Sequence, residues 1–475
     1  MGKTIENSIA EGYRPEEKAG LAKSFIKGDI WTKLSALIMG TGCFARAQIA
    51  RGLIFLAFQG LFIWYMITRG VYWISMLPSL GLVGPTKEYD AFFDTYVFTY
   101  NDNSFQILLY GILSLFLIAA FIFTWALNIK ASYDAQVKDE QGKKVNKLKD
   151  DLRELLDEKF YKTLLTLPAI GITVFTFLPM VFTILIAFTN YDGSHDGYIT
   201  NLFHWVGLEN FKTMFTTSGN AGSGSYFATF MSILGWTLVW AFFATFSNYI
   251  LGILVAMMIN KKGIKFKKMW RTILVMTIAI PQFISLLYVS KMFAKSGIIN
   301  NLLVNILHIL DQPYDFWGSP MSARILVIVL NIWIGIPYLV LIATGILMNI
   351  PQDLYEASRI DGANPFQQFR YITMPYMLFV TAPYLLTSFT GNMNNFNVIY
   401  LLTGGGPINT AASSAAGSVG HTDLLITWLF KITQGTDSLY YMASVVGIAI
   451  FVIVSIITLT IYNRLGSNKN EGDMA

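Results

Sequence analysis

The stretch Asn349-Ile-Pro-Gln-Asp-Leu-Tyr-Glu-Ala-Ser-Arg-Ile-Asp-Gly-Ala-Asn-Pro-Phe-Gln-Gln-Phe-Arg-Tyr-Ile-Thr-Met-Pro375 interrupts two long apolar runs, 325–350 and 371–402. Its punctuation is local and physical. Pro351 suits the first turn of a helix, because its missing N–H falls where no intrahelical acceptor waits. Gly362 suits the left-handed residue that ends a helix. Asn364 caps a second helix with Pro365 at its first position. The reading is a helix of about ten residues, a sharp corner, and a helix that leads back into an apolar run. On local physics alone this is equally a well-capped solvent loop.

Working outward, strongly apolar runs recur at 52–68 (extending weakly to 77), 105–129, 163–190, 226–260, 272–290, 325–350, 371–402 and 438–463. Each approaches or exceeds the ~20 residues that cross a ~30 Å hydrocarbon core. Apolar residues make up 54% of the 475, and charged residues only 13%; soluble domains carry about 25% charge, so a soluble fold could not solvate this chain. Backbone groups in lipid must bond internally, and runs without two-residue alternation are not barrel strands. The expected fold is therefore an all-α polytopic membrane protein with eight spans. The 226–260 run is longer than one crossing, at ~1.5 Å per residue, so one end should tilt or project. The same numbers set aside a disordered chain, a disulfide scaffold (Cys43 is the one cysteine) and a nucleic-acid binder, since the net charge is only +5.

Lysine and arginine set the orientation. Segments 1–51, 130–161, 260–271, 349–371 and 464–475 hold 26 of the 34, whereas 68–104, 191–225, 295–320 and 401–437 hold five. With eight spans the first set lies on one side, which makes both termini cytoplasmic. Lys143, Lys261 and Arg359 should then face inward, and Lys87, Asp192, Asp311 and Asp423 outward. The first thirty residues are polar and contain no secretory signal, so the first span is expected to target the membrane. Segment 31–50, broken by Lys33 and Arg46, reads as interfacial or dipping, with Cys43 a plain cysteine within it.

No acidic residue falls inside the apolar centre of a span, and the four histidines lie in outer connections. Intramembrane acids persist mainly for ion and proton relays, so their lack counts against a carboxylate-driven carrier and an intramembrane hydrolase. Gly2-Lys3-Thr4 mimics the tail of a phosphate-binding loop but has no upstream glycine or strand. The glycine-rich Gly219–Ser225 run reads as a flexible connection. If ATP powers this protein, another subunit binds it.

The 349–375 stretch resembles the EAA loop of bacterial ABC importer permeases: Glu356-Ala357-Ser358, three residues, Gly362, nine residues, then Ile372, Met374 and Pro375. The family has alanine at Ser358 and usually leucine at Met374. In that family the loop is a coupling helix that docks on an ATPase subunit. The resemblance implies that Glu356 meets a basic residue there, with Ala357 and Ser358 beside it, and that Gly362 permits the turn. Asn331-Ile-Trp-Ile-Gly-Ile-Pro-Tyr338, Ser388-Phe-Thr-Gly-Asn-Met-Asn-Asn-Phe396 and Tyr400-Leu-Leu-Thr-Gly-Gly-Gly-Pro407 are similar to the MalF-like subunits of maltose-type importers. The likeness covers roughly 160–465 as a six-helix core of the type I importer fold. It implies a cytoplasmic segment 1–51, two leading spans within 52–129, a linker helix at 130–161, a permease core at 162–465 and a tail at 466–475. Gram-negative members carry a large domain where residues 191–225 stand, so this chain resembles the shorter Gram-positive form. The implied partners are a second, MalG-like permease, two ATP-binding subunits that hold ATP and magnesium, and an extracellular sugar-binding protein. The implied cargo is maltose or malto-oligosaccharide. No cofactor, catalytic residue or metal ligand is expected in this chain.

Two spans carry polar side chains where a substrate could sit. Pro337 with Gly335 should kink or unwind the sixth span, and transporters place such breaks at midplane sites. On the seventh, Ser388, Asn392 and Asn395 fall on one helical face. Amides and hydroxyls opposite Trp333 and Tyr338 make a neutral, amphipathic lining, suited to sugar hydroxyls and ring faces. The alternative is interhelical glue. In the MalF-like family the positions matching Asn331, Trp333, Gly335, Tyr338, Ser388, Asn392 and Asn395 line the sugar site. A rival function is a stand-alone or ion-coupled sugar carrier, which needs no coupling loop.

Overall fold

The computed structural model describes residues 20–99, 101–196, 201–216, 226–261, 263–410, 418–435 and 438–463. Gly2-Lys3-Thr4, the Gly219–Ser225 run and the tail at 466–475 lie outside them. The chain divides into two compact units, 1–185 with 194–205, and 186–193 with 206–475.

The first unit begins with three short helices, α1 Leu21–Ile26, α2 Ile30–Leu34 and α3 Thr41–Phe44. Two long helices follow, α4 Ile49–Met76 and α5 Ser104–Glu140, joined by a hairpin of β1 Thr86–Asp90 and β2 Thr95–Thr99. The unit ends with α6 Leu148–Leu156 and α7 Phe160–Ile186. Polar groups of residues 29–46 strap this segment onto the C-terminal half of α5. Asn128 of α5 accepts from Gly40 N (2.9 Å) and donates to Ser35 O (2.8 Å), and Gln136 accepts from Asp29 N (2.9 Å) and the Thr32 hydroxyl (3.1 Å). Arg46 closes the strap on Asp29 at 2.6 Å. The linker expected over 130–161 is two pieces: α5 runs on to Glu140, and α6 is tied by Asp151 to Arg51 in a bidentate pair of 2.5 and 2.6 Å.

The second unit contains α8 Glu209–Phe215, α9 Tyr226–Asn260, α10 Lys267–Ala279, α11 Gln282–Met292, α12 Pro320–Leu347, α13 Gln352–Ile360, α14 Pro365–Met393, α15 Phe396–Thr403, α16 Leu425–Gln434 and α17 Tyr440–Tyr462. The 35-residue α9 is its spine. Its first third (Phe230, Ile233, Leu234) packs with α16 and α17 around Trp428. Its middle (Trp236, Trp240, Ala244) packs with α11, α12 and α15. Its last third (Tyr249, Ile253, Ala256) packs with α12 and α14.

Seven of these helices are long and apolar enough to cross a membrane; the eighth crossing exists only if α10 and α11 count as one, because they meet at 91°. The apolar run read over 272–290 is a broken span, a bend that its sequence pattern did not anticipate. Proline drives its preceding residue out of the helical region, and Ile280 (ψ 125°) and Pro281 (ψ 126°) are both extended. By contrast α12, expected to kink or unwind at Pro337, does not unwind and runs on as helix from Pro320 to Leu347. Asn331, Leu339, Val340 and Ala343 on either side are buried, the last three in the cluster with α9, and this packing holds the backbone through the proline. The seventh span ends early, at Met393, and α15 restarts at Phe396.

Asp423, expected on the outer surface, is buried. Its carboxylate pairs with Lys431 Nζ at 2.6 Å and accepts from Gly420 N (2.7 Å) and the Thr427 hydroxyl (2.9 Å). Burial pushes this carboxyl above its ordinary range against the opposing pull of Lys431 and these donors. Sequence position alone could not show that Asp423 folds back onto α16.

Candidate functional site

The break between α10 and α11 opens beside α12. A cavity of about 500 Å³ lies there, walled by Thr277, Ile278 and Ile280 of the first half, Pro281, Gln282 and Ser285 of the second, and Trp333, Pro337 and Tyr338 of α12. Helices end at Ala279 and restart at Gln282 because Pro281 cannot donate to the preceding turn. Among the described residues, no charged side chain lines the cavity. Trp333 and Tyr338 are half exposed, and the Tyr338 ring lies 6.4 Å from that of Tyr384 on α14.

The seven residues singled out for sugar do not form one lining. Trp333 and Tyr338 face the cavity. Asn331 and Gly335 meet Asn248 of α9: the Asn248 amide donates to the Asn331 carbonyl at 3.4 Å, and a Cβ at residue 335 would lie 2.6 Å from Asn248 Nδ2. Asn392 also turns to α9, donating to the Thr245 hydroxyl at 3.0 Å, while its carbonyl accepts from Trp240 Nε1 at 3.0 Å. Asn395 is not on the helical face expected for it. It stands outside α14 as the cap of α15, accepting from Val398 N (3.3 Å) and donating to the Asn392 side chain (3.3 Å). Ser388 remains on α14, one turn beyond Tyr384. The seven thus divide: Asn331, Gly335 and Asn392 meet α9, Trp333 and Tyr338 face the cavity, and Ser388 and Asn395 join neither group.

Thr277, Gln282 and Ser285 escaped the sequence reading. The signal for them was Pro281 in the middle of an apolar run, the same signal that was read at Pro337.

Residues 248–469 match the family model of the binding-protein-dependent transport system inner membrane component. Over nearly its whole length the chain is 36% identical to the maltodextrin transport system permease protein MdxF of Bacillus subtilis (strain 168), covering 92% of this chain and 96% of that one. The chain belongs to the MalF-like permeases of ABC importers. The permease is also 31% identical to the galactooligosaccharides transport system permease protein GanP of the same organism, covering 92% of this chain and 98% of the other. Among solved structures, a bacterial ABC transporter involved in the import of the acidic polysaccharide alginate shares the fold. Its TM-score is 0.52 at 21% identity, over 66% of this chain and 97% of that chain.

The permease's 349–375 segment has the helix, corner and capped second helix that its punctuation reads. Pro351 precedes the nine-residue α13, Gly362 takes φ +82°, and Asn364 and Gln367 cap each other reciprocally at 2.8 Å. Ser358 accepts from Gln368 Nε2 (2.8 Å), and the Tyr355 hydroxyl lies 2.8 Å from that of Thr373, so α13 is clamped against the start of α14. Its other side is bare: Leu354, Glu356, Ala357 and Ile360 are exposed, Ile360 by 87%.

Proposed function

We propose that this permease forms, with a second permease subunit, the path by which an ATP-driven importer passes neutral oligosaccharides, with maltodextrins as the cargo. The observation that carries this reading is the uncharged cavity at the broken span, where Trp333 and Tyr338 stand among the amide of Gln282 and the hydroxyls of Thr277 and Ser285. Aromatic faces suit the apolar faces of sugar rings, and neutral donors and acceptors suit hydroxyls. Nothing there would compensate a charged substrate. MdxF, the maltodextrin relative, supports the choice of cargo.

In this reading α13 is the coupling helix. Its bare face seats in a separate ATPase subunit, two of which bind ATP and magnesium, and Glu356 meets a basic partner there. The chain itself holds no cofactor and catalyses no reaction. Both termini lie in the cytoplasm, and an extracellular binding protein delivers the sugar. The seven residues Asn331, Trp333, Gly335, Tyr338, Ser388, Asn392 and Asn395 serve in two ways: Trp333 and Tyr338 touch sugar, and the others hold the helices that present them.

The test is uptake by the purified complex in liposomes, with maltotriose and a galactotriose in competition. Maltotriose uptake that requires ATP and stimulates its hydrolysis supports the proposal. Sugar uptake by the isolated chain without ATP would refute it, and preferential uptake of the galactose series would refute the choice of cargo.

A further inference from the structure

Between α9 and α10, residues 260–271 read Asn-Lys-Lys-Gly-Ile-Lys-Phe-Lys-Lys-Met-Trp-Arg: six cations and no acid. A positive-inside bias accounts for cations at a cytoplasmic turn. It does not account for the apolar side chains between them. Phe266 is 73% exposed, at a left-handed φ of +57° unusual for a side chain of its size, and Ile264, Met269 and Trp270 are exposed with it. The cations are not consumed within the chain: among the described residues none forms an ion pair with a carboxylate. Arg271 is committed to the Asn260 side chain and Lys267 to the Asn260 carbonyl at 2.9 Å, while the Asn260 amide reaches Thr344 of α12 at 3.2 Å. The exposed and unclaimed cations with described structure are Lys261, Lys265 and Lys268.

We infer that this turn is a binding site for the headgroup of an anionic phospholipid in the inner leaflet. α9 and the α10–α11 pair are membrane-crossing elements, so the turn between them emerges at the headgroup level. Trp270 suits that level, where an apolar body meets a polar tip, and Phe266 and Met269 suit the acyl boundary just below it. Basic residues beside membrane helices attract anionic lipids. Cations interleaved with Phe266, Met269 and Trp270 supply both halves of such a contact: the rings sit among the upper acyl chains, and the ammonium groups close on the phosphate. An acidic protein surface would match the charge but would leave Phe266 without an apolar counterpart. The inference rests on the membrane topology and is independent of the proposed cargo.

The experiment is native mass spectrometry of the purified, intact complex, titrated with dioleoyl phosphatidylglycerol and with dioleoyl phosphatidylcholine. The wild type should retain phosphatidylglycerol preferentially. The triple variant Lys261→Gln, Lys265→Gln, Lys268→Gln should lose that preference by on the order of a hundredfold, at about fivefold for each lysine near the surface. The charge-conserving Lys→Arg triple should keep it. So should a control triple on exposed cations of the first unit, Lys23→Gln, Lys27→Gln, Lys33→Gln. Equal losses in test and control triples would reduce the effect to overall charge and overturn the site. An unchanged preference in the test triple would also overturn it. Loss of ATPase subunits from the test triple with lipid preference intact would assign the turn to a protein partner instead.

Discussion

Gly335 separates a packing role from a sugar-contacting one, and the structure sets the size of the effect. A Cβ at this position would lie 2.6 Å from Asn248 Nδ2 and 2.7 Å from its Cγ and Oδ1. Asn248 is buried and cannot swing away freely, because its amide donates to Ala244 O at 2.8 Å and to Asn331 O at 3.4 Å. Overpacking of this kind costs about 1–3 kcal/mol, and a displaced hydrogen bond adds roughly 1 kcal/mol. Replacing glycine by alanine inside a helix returns up to ~1 kcal/mol. Gly335→Ala should therefore destabilise the permease by about 1–3 kcal/mol. In an Asn248→Ala background the clash is gone, and the same change should be neutral or stabilising by up to ~1 kcal/mol. The coupling between the two sites is then about 1–4 kcal/mol, overlapping the range of roughly 0.5–3 kcal/mol seen for touching residues. Gly345→Ala, on the same helix with nothing within 4 Å of its Cβ, serves as the control and should not destabilise. The assay is reversible unfolding of the purified protein in mixed micelles, alongside uptake in liposomes. Equal costs of Gly335→Ala in both backgrounds, or a cost matched by Gly345→Ala, would refute the packing account. A double variant that regains stability but not uptake would return Gly335 to the sugar path.

Tyr338→Ala should lower sugar uptake severalfold with little loss of stability, since the ring faces the cavity, whereas Asn392→Leu should cost about 1 kcal/mol or more in unfolding by breaking the bond to Thr245; the reverse pattern would exchange their roles. Glu356→Lys should uncouple ATP hydrolysis from uptake without lowering permease levels, and Gly362→Val should do the same through strain of at least ~1 kcal/mol at φ +82°, with no clash at its Cβ; wild-type coupling in both would make the segment a plain connection. Lys431→Met should destabilise by about 3–5 kcal/mol by leaving Asp423 buried and unpaired, and adding Asp423→Asn should recover much of the loss in the same unfolding assay. Asp102 accepts from Leu82 N at 2.8 Å; that bond, with Val83 N and the Tyr72 hydroxyl, holds its carboxyl below the ordinary range despite partial burial. Its contribution is present above the unfolded-state value of ~3.9 and is lost as pH falls through the lower folded-state value. Asp102→Asn should therefore lower the unfolding midpoint at pH 7, with the gap closing only in strong acid; a gap independent of pH would contradict this.

Sequence by itself determined the features that depend on solvent and on local backbone chemistry. Long apolar runs such as 226–260 must be helices because lipid offers no partner for an N–H. The corner at Gly362 and the cap at Asn364 follow from what glycine, asparagine and proline permit within four residues, and the structure reproduces them residue by residue. Tertiary structure decided where prolines break helices and which way polar side chains turn. Pro337 and Pro281 are alike in sequence, yet α12 passes through the first and the chain bends by 91° at the second. The difference is packing: Pro337 is buried among neighbours that pack against α9 and hold the helix around it, while Pro281 is exposed. Asn392 and Tyr338 were both candidates for sugar; the fold turns Asn392 to Thr245 of α9 and leaves Tyr338 on the cavity. The charge pattern assigns Asp423 a side of the membrane, but only the fold shows that Lys431, eight residues later in sequence, meets it in a buried pair. A periodicity of 3.6 assigns a residue to a face; only the neighbouring helix decides whether that face meets protein, lipid or an open path.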